Sequence, residues 1–473
     1  MNTFIHFVEE IRKNAGLYFF EIIIVLILIL DYNIKEKAAN PQGRKKPHRP
    51  NLKKGSADTA HGIIFGKCGS GKSNLMYDPI ENEGMIGIFG QAGTGKTTAF
   101  AIPSINSACA DPKIATCFVI DISGDISKNC PIPEKIVFDI DDENTLPYNV
   151  FKKIDEIAFD PEKIEQLRKL AFLLMPDIQS ANKDDASAFF RSHGRNILIG
   201  ALIAYYYEGL DFCEICHKIH GMDSKDLLYD IVRTENENAI QYIASFSGTN
   251  SKNTAGAKQA MDQAIELFAT NYKVRRSLRR PKPKESCIFP DQLEQKSIFL
   301  CIPDHELDTL APLLGIVSAQ ALDYMAARPN YTAPTILFLL DEFASLRIGT
   351  QDILNAVRKY RKKNVRICLI TQSLTDLDLL YGKDVRTALI DNLRYKVILG
   401  ISSPDTQKYF ADMIGMNEIR SRSASFTDKN ITQTYSAKKE YLVNPEDLGR
   451  LKDELIVISA DGYIRLRKNY FYK

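Results

Sequence analysis

Apolar residues along the chain follow two rhythms. Short unbroken apolar runs bounded by turn residues mark strands buried on both faces. Four stand out: 85–89 (MIGIF), 115–120 (ATCFVI), 335–340 (TILFLL) and 365–370 (VRICLI). A further strand-like segment closes the chain over 454–472. From about residue 159 the rhythm turns helical. Ile164, Leu167, Leu170, Ala171 and Leu174 share one face, and residues 189–208 read as one long helix around ILIGALIAYYY. No strong strand pattern interrupts 184–270. The pattern predicts an α/β domain split by an all-α insertion. Its parts are a first half at 56–158, the insertion at 159–285 and a second half at 286–473.

The N-terminus differs. Residues 17–30 are apolar apart from Glu21. Fourteen helical residues span about 21 Å, short of the ~30 Å hydrocarbon core of a bilayer. Extension to Asn14 and Tyr32 closes the gap and leaves Glu21 near one end. Residues 1–32 thus read as a membrane anchor, with a buried core helix as the alternative. Phe4, Phe7, Val8 and Ile11 sit at helical spacing, as in an interfacial helix ahead of the span. Lys35, Lys37, Arg44, Lys45, Lys46, Arg49, Lys53 and Lys54 follow the span. This excess places the C-terminal bulk in the cytoplasm. The stretch 33–55 is a basic linker, either lying on anionic headgroups or serving as a soluble tether.

Composition narrows the class. At 473 residues, 45% hydrophobic and 25% charged, the chain is neither wholly disordered nor a polytopic transporter. Lys+Arg of 61 against Asp+Glu of 59 excludes a globally basic nucleic-acid coat, so such work would fall to local patches. Nine cysteines without a spacing framework read as reduced thiols.

The phosphate-loop pattern G-x-x-x-x-G-K-[ST] occurs twice, at 66–73 (GKCGSGKS) and 90–97 (GQAGTGKT). Such a loop needs a buried strand before it and a helix after it, so that backbone N–H groups ring the phosphates. The second match has both, and strand 115–120 completes a βαβ unit. Its helix is expected to kink at Pro103. After Ser73 only five residues precede Pro79, too few for a crossover of at least ~10–12 residues. The first match is therefore expected to be a hairpin turn. At the second, Gly90, Gln91, Ala92, Gly93, Thr94, Gly95, Lys96, Thr97 and Thr98 form the nucleotide cradle. Lys96 faces the β- and γ-phosphates of ATP, and the Thr97 hydroxyl is a Mg²⁺ ligand.

Strand 335–340 ends in Asp341-Glu342. A carboxylate there can hold Mg²⁺, and the next can polarise the attacking water; an N-cap pair is the plainer alternative. Strand 365–370 ends in Thr371-Gln372-Ser373, where Gln372 is placed to sense the γ-phosphate. Arg358 and Arg361 lie in the basic run between these strands. They read either as arginine fingers acting on a neighbouring subunit or as a solvated helix face.

Taken in order, GQAGTGKTTAFAIPSI, FVIDISGDI, LFLLDEFASL, RKYRKKNVRICLITQSL and YGKDVRTALIDNLRYKVILG resemble the type IV secretion coupling proteins, the TraG/TraD-type family of conjugation ATPases. The resemblance runs from about residue 62 to 472. It implies a RecA-like P-loop NTPase domain with an inserted all-α domain and an N-terminal transmembrane helix. It also implies a homo-hexameric ring at the bacterial inner membrane. That ring brings DNA with its relaxase, or protein effectors, to the type IV secretion channel. The nucleotide-loop residues, the Asp341–Glu342 pair and Gln372 match family positions, and Asp121, Gly124 and Asp125 match a family turn. Members usually carry two membrane spans, whereas one is evident here, which places the N-terminus outside. The chain stops soon after its terminal strand, without the long tail that some members use to recruit partners. A cell-division-type DNA pump would need a C-terminal winged helix, and none is seen. A nucleotide-dependent platform for protein effectors remains the rival reading.

Two motifs in the insertion invite other chemistry. Cys213-Glu214-Ile215-Cys216-His217 fits a haem-attachment pattern, with His220 a further metal-ligand candidate; buried thiols in a helix are the expectation. Residues 273–284 (KVRRSLRRPKPK) carry seven positive charges beside Tyr272. They are either a sequence-tolerant, salt-sensitive nucleic-acid contact or a solvated loop.

Overall fold

The computed structural model describes residues 48–69, 74–176, 185–246, 251–427 and 430–472. The expected membrane anchor and most of the basic linker lie outside the described residues.

The first half of the α/β domain contributes β1 (Lys53–Gly55), β2 (Gly62–Lys67), β3 (Leu75–Pro79), β4 (Met85–Gly90), α1 (Ile102–Ala108), β5 (Ala115–Ile122), α2 (Asp125–Asn129) and β6 (Lys135–Asp139). β2 and β3 pair antiparallel, so the first phosphate-loop match sits on a hairpin, as the short spacing predicts. Lys72 itself lies outside the described residues. The helix after β4 opens as a π-helical turn, Lys96–Ala101, in which the Ile102 amide bonds back to the Thr97 carbonyl. The expected break is thus present, one turn before Pro103. Proline has no N–H and crowds the carbonyl four residues earlier, and widening the preceding turn relieves both.

The insertion follows: α3 (Lys152–Glu156), α4 (Asp160–Leu174), α5 (Asp185–Tyr207), α6 (Phe212–His220), α7 (Ser224–Arg233), α8 (Glu237–Ile243), α9 (Ser251–Thr270) and α10 (Tyr272–Ser277). Leu198, Leu202 and Tyr205 of α5 and Met261, Ile265 and Phe268 of α9 are buried. α6 starts on a capping box, with the Asp211 side chain accepting from the Glu214 amide and Glu214 answering to the Asp211 amide. Cys213 and Cys216 are buried in it, and His217 Nδ1 lies 3.0 Å from the Ala269 carbonyl. No metal-ligating cluster occurs among the described residues.

The insertion enters and leaves beside itself. Tyr148 and Ile288 form a parallel bridge, and the Tyr148 hydroxyl donates to Gln320 Oε1 at 2.9 Å. The basic run 273–284 braces this neck. Lys273 pairs with Asp141 (2.6 Å) and Glu306 (2.7 Å), and Arg276 donates to the Ile140 carbonyl at 2.7 Å. Arg279 pairs with Glu285, and Arg280 donates to the Gly209 carbonyl at 2.9 Å. Four of its seven cations are therefore committed inside the chain. The run is neither a free phosphate-binding patch nor merely a solvated loop.

The second half adds β7 (Ser297–Ile302), α11 (Leu307–Ala327), β8 (Thr335–Leu340), α12 (Thr350–Lys359), β9 (Val365–Thr371), α13 (Leu374–Tyr381), α14 (Lys383–Asn392) and β10 (Leu393–Gly400). After β10 come α15 (Pro404–Ile414), β11 (Met416–Thr427), β12 (Asn430–Tyr441), α16 (Pro445–Gly449), β13 (Glu454–Ser459) and β14 (Gly462–Arg467). The terminal strand-like segment is thus two strands joined at Ala460-Asp461. Among the described residues one helix, Asp304–Ala327, is long and apolar enough to cross a membrane, and most of its apolar window is packed inside the fold.

All strands but β11 and β12 form one sheet, ordered β1-β3-β2-β14-β13-β10-β4-β9-β8-β5-β7-β6. From β10 to β6 it is parallel. β4 and β7 are buried along their whole length, because helices cover both faces of a parallel sheet. Lys408–Pro445 group apart from the sheet, in a separate unit. Within it β11 and β12 make a two-stranded antiparallel ribbon, in register from Met416↔Tyr441 to Thr427↔Asn430.

One buried ion pair ties β9 to the end of β3. Arg366 and Asp78 are 2% and 0% exposed. Arg366 Nη2 meets Asp78 Oδ2 at 2.7 Å, its Nη1 donates to the Pro79 carbonyl, and Tyr395 and Asn82 donate to Asp78 Oδ1. Removing one partner strands a charge in the core. Arg366→Ala is expected to cost about 3–5 kcal/mol. The half-exposed pair Arg465–Glu454, 2.8 Å apart, should cost at most about 1 kcal/mol on Arg465→Ala. Urea unfolding of both variants checks the contrast, and similar midpoints would refute it.

Candidate nucleotide-binding site

Side chains of a parallel sheet buried on both faces leave no room for water, so polar chemistry gathers at the carboxyl ends of the strands. Here four strand ends converge. β4 ends in the glycine-rich loop, β8 in Asp341-Glu342, β9 in Gln372 and β5 in Asp121.

The loop is held open by its glycines. Gly93 and Gly95 have φ of 75° and 91°, in the region that L side chains rarely adopt. At Gly90 a β-carbon would lie 2.6 Å from Thr94 Oγ1. The Thr94 hydroxyl donates to the Gln91 carbonyl at 2.8 Å, and the Gln91 amide donates to the Gly400 carbonyl of β10. Gln91, Ala92 and Gly93 face solvent, while Thr97 and Thr98 are half-buried at the head of the π-helical turn.

Lys96 is 7% exposed. Its ammonium donates to the Gly90 carbonyl at 3.0 Å and lies 3.6 Å from Glu342 Oε1. Gln372 Nε2 donates to the same carboxylate, at 3.3 and 3.4 Å. Glu342 has φ 45°, ψ 45°. A non-glycine residue held there carries strain of about 1–3 kcal/mol, a cost that clusters at functional sites. Asp341 is 6% exposed and accepts from the Glu342 amide at 3.0 Å. Burial, then the neighbouring Glu342 charge, push its carboxyl up to about 6, against the pull of Lys96. Asp121, fully buried, is raised by burial and held by the Ile126 and Ser127 amides at 3.0 and 2.7 Å. Consecutive left-handed residues Ser123 and Gly124 turn those amides back onto it. Asp125 opens α2 behind them.

Lys96 is thus set against the Glu342 carboxylate, with the buried Asp341 beside that carboxylate. Thr97 and Asp341 are the residues that would hold a divalent cation, which would offset carboxylate and phosphate charge there.

Lys96, Asp341, Glu342 and Gln372 are thus brought together within one protomer. Arg358 and Arg361 are not. Arg361 pairs with Glu83, just ahead of β4, and Arg358 is exposed in the last turn of α12. Both lie at the opposite end of the parallel strands from the loop. Asp121, matched in sequence to a family turn with Gly124 and Asp125, holds that turn by accepting from the Ile126 and Ser127 amides.

A glycine-cradled loop at the end of a buried strand, with a lysine set against paired carboxylates two strands away, defines a P-loop nucleotide-binding α/β protein. The chain belongs to the type IV secretory system conjugative DNA transfer family, whose profile matches residues 36–473. No curated protein matches the sequence significantly. Among solved structures, the bacterial conjugative coupling protein TrwBdeltaN70 in an unbound form superposes with TM-score 0.67 at 17% identity, covering 90% of this chain and 95% of that chain. The plasmid coupling protein TrwB in complex with ADP and Mg²⁺ gives 0.67 at 17% identity with the same coverage. TrwB with a non-hydrolysable GTP analogue gives 0.66 at 17% identity, over 90% and 96%. At this identity the likeness concerns the fold.

The raised Asp341 pKa has a definite sign. The folded protein binds this proton more tightly than the unfolded chain, so the site loses stability as pH rises from about 4 to about 6. Asp341→Asn should therefore stabilise the nucleotide-free protein more at pH 7.5 than at pH 4, by about 2–3 kcal/mol. Thermal or urea unfolding at the two pH values measures this. An equal effect at both would contradict it.

Proposed function

We propose that the protein is a membrane-anchored, hexameric ATPase that recruits DNA–protein substrates to a bacterial type IV secretion channel and drives them into it. The observation that carries this reading is the meeting of Lys96, Asp341, Glu342 and Gln372 at the ends of three adjacent parallel strands. Loop amides from Gly90 to Thr98 hold the phosphates of ATP, and Lys96 swings from Glu342 to the β- and γ-oxygens. Thr97 and Asp341 would hold Mg²⁺, which would supply charge neutralisation at the phosphates. Released from Lys96, Glu342 takes a proton from the attacking water at Oε1 or Oε2. Gln372 already touches Glu342, so loss of the γ-phosphate is passed to β9 and α13.

Arg358 and Arg361 sit at the far end of their own sheet, so as arginine fingers they would act on a neighbouring copy; otherwise they are a solvated basic helix face, with Arg361 paired to Glu83. DNA contact is through phosphates and tolerant of sequence. The second reading, a platform that binds nucleotide to assemble and hands over protein effectors, shares the site and differs in cargo.

ATP hydrolysis by the full-length protein, with and without DNA, separates them. Lys96→Ala should abolish hydrolysis, and Lys72→Ala should leave it intact. DNA should raise the rate at low salt and lose its effect as salt increases. A rate indifferent to DNA at low salt would favour the effector platform. Loss of nucleotide binding in a folded Lys72→Ala protein would overturn the choice of loop.

A further inference from the structure

Beyond β14 the chain leaves the sheet and crosses to the nucleotide loop. Lys468 is its post. The Lys468 amide donates to the Asp453 carbonyl at 2.8 Å. Its buried ammonium donates to the carbonyls of Leu399, Leu451 and Lys452 at 2.9, 3.1 and 2.7 Å. Burial draws this lysine down to about 8, and the three carbonyls compensate the lost hydration.

Two residues further on, the strap touches the loop. Tyr470 Cε1 lies 3.3 Å from where a β-carbon on Gly95 would stand. The Phe471 amide donates to the Thr98 carbonyl at 3.1 Å. The rings of Tyr470 and Tyr472 are 5.5 Å apart, inclined at 31°, and Tyr472 is 60% exposed.

The order of strands says which end of a nucleotide this strap meets. β9 and β8, which carry Gln372 and Glu342, lie on one side of β4; β10, β13 and β14 lie on the other. Lys96, Glu342 and Gln372 mark the γ-phosphate end. The nucleoside end therefore leaves the loop on the side from which the strap arrives. An aromatic pair beside Gly95 and Thr98 offers a π-face there, next to a site otherwise built of backbone amides and charge.

We infer that Tyr470 and Tyr472 form the wall on which the base of a purine nucleoside triphosphate stacks. The inference rests on the reading of Gly90–Thr97 as the nucleotide loop. Every base has a π-face, so the wall separates nucleotides from bare polyphosphate and tells one purine from another only weakly.

Calorimetric titration of the full-length protein with Mg-ATP and with inorganic tripolyphosphate tests this. Wild type should bind ATP more tightly than tripolyphosphate. Tyr470→Ala and Tyr472→Ala should each weaken ATP about tenfold and leave tripolyphosphate within about twofold. Tyr470→Phe should keep ATP near wild type. Equal weakening of both ligands would mean that the strap only shapes the loop, and would overturn the proposal. Unchanged ATP affinity in both alanine variants would overturn it too, by placing the base elsewhere. Wild type binding neither ligand would instead be the failure of the nucleotide-loop reading, and the wall would fall with it. Tyr472 is largely exposed, so its variant answers the question even where Tyr470→Ala disturbs folding.

Discussion

A buried ammonium set against buried carboxylates is the constraint on which the site depends. Lys96 is nearly enclosed and has one carbonyl and one carboxylate within reach. Neither Asp341 nor Asp121 is solvated, and both are raised by burial. Charges so placed are tolerable only with partners fixed in position. The sheet supplies that fixing. Asp341 and Glu342 sit one and two residues beyond β8, Asp121 lies in the last residues of β5, and Lys96 follows the loop that leaves β4. Strain at Glu342 and the left-handed pair at Ser123-Gly124 are local concessions to it. Asp121 is met by the Ile126 and Ser127 amides, and Lys96 by the Gly90 carbonyl and Glu342.

The same arrangement separates two jobs by side. Chemistry comes from β8 and β9, while β10 and the strap after β14 support the loop from behind. The Gln91–Gly400 bond and the three carbonyls around Lys468 make that support stiff. On the other side Gln372 bonds Glu342 at the head of α13. Phe343, the next residue, stacks on Tyr381 at the end of α13 with ring centroids 5.7 Å apart. A displacement at Glu342 has a packed route to that helix.

Much of the site was legible in the chain. The apolar run 335–340 coincides with β8 residue for residue, and β4 and β9 lie within one residue of their runs. Strands buried on both faces are uniform in polarity, and the groups that follow them are not, so their ends stand out. The short spacing after Ser73 and the strand-like flanks of residues 66–73 point to a hairpin, and β2 and β3 pair antiparallel. What stayed hidden depends on distance in sequence. Tyr470 meets Gly95 only because β14 and β4 are near in sheet order. The basic run at 273–284 looks like a ligand surface until its carboxylates at 141, 285 and 306 are placed beside it. The ribbon β11–β12 is polar along its length, with Ser, Thr, Arg and Lys where an apolar alternation would announce a strand.

The neck of the helical insertion carries a consequence of a different kind. Its two ends meet at the Tyr148–Ile288 bridge, beside two strands, β6 and β7, that already pair with each other. Whatever is spliced between those ends leaves the register of the sheet untouched. The insertion is in that sense a cassette. Its length and its outer surface can change while every strand of the sheet stays in place.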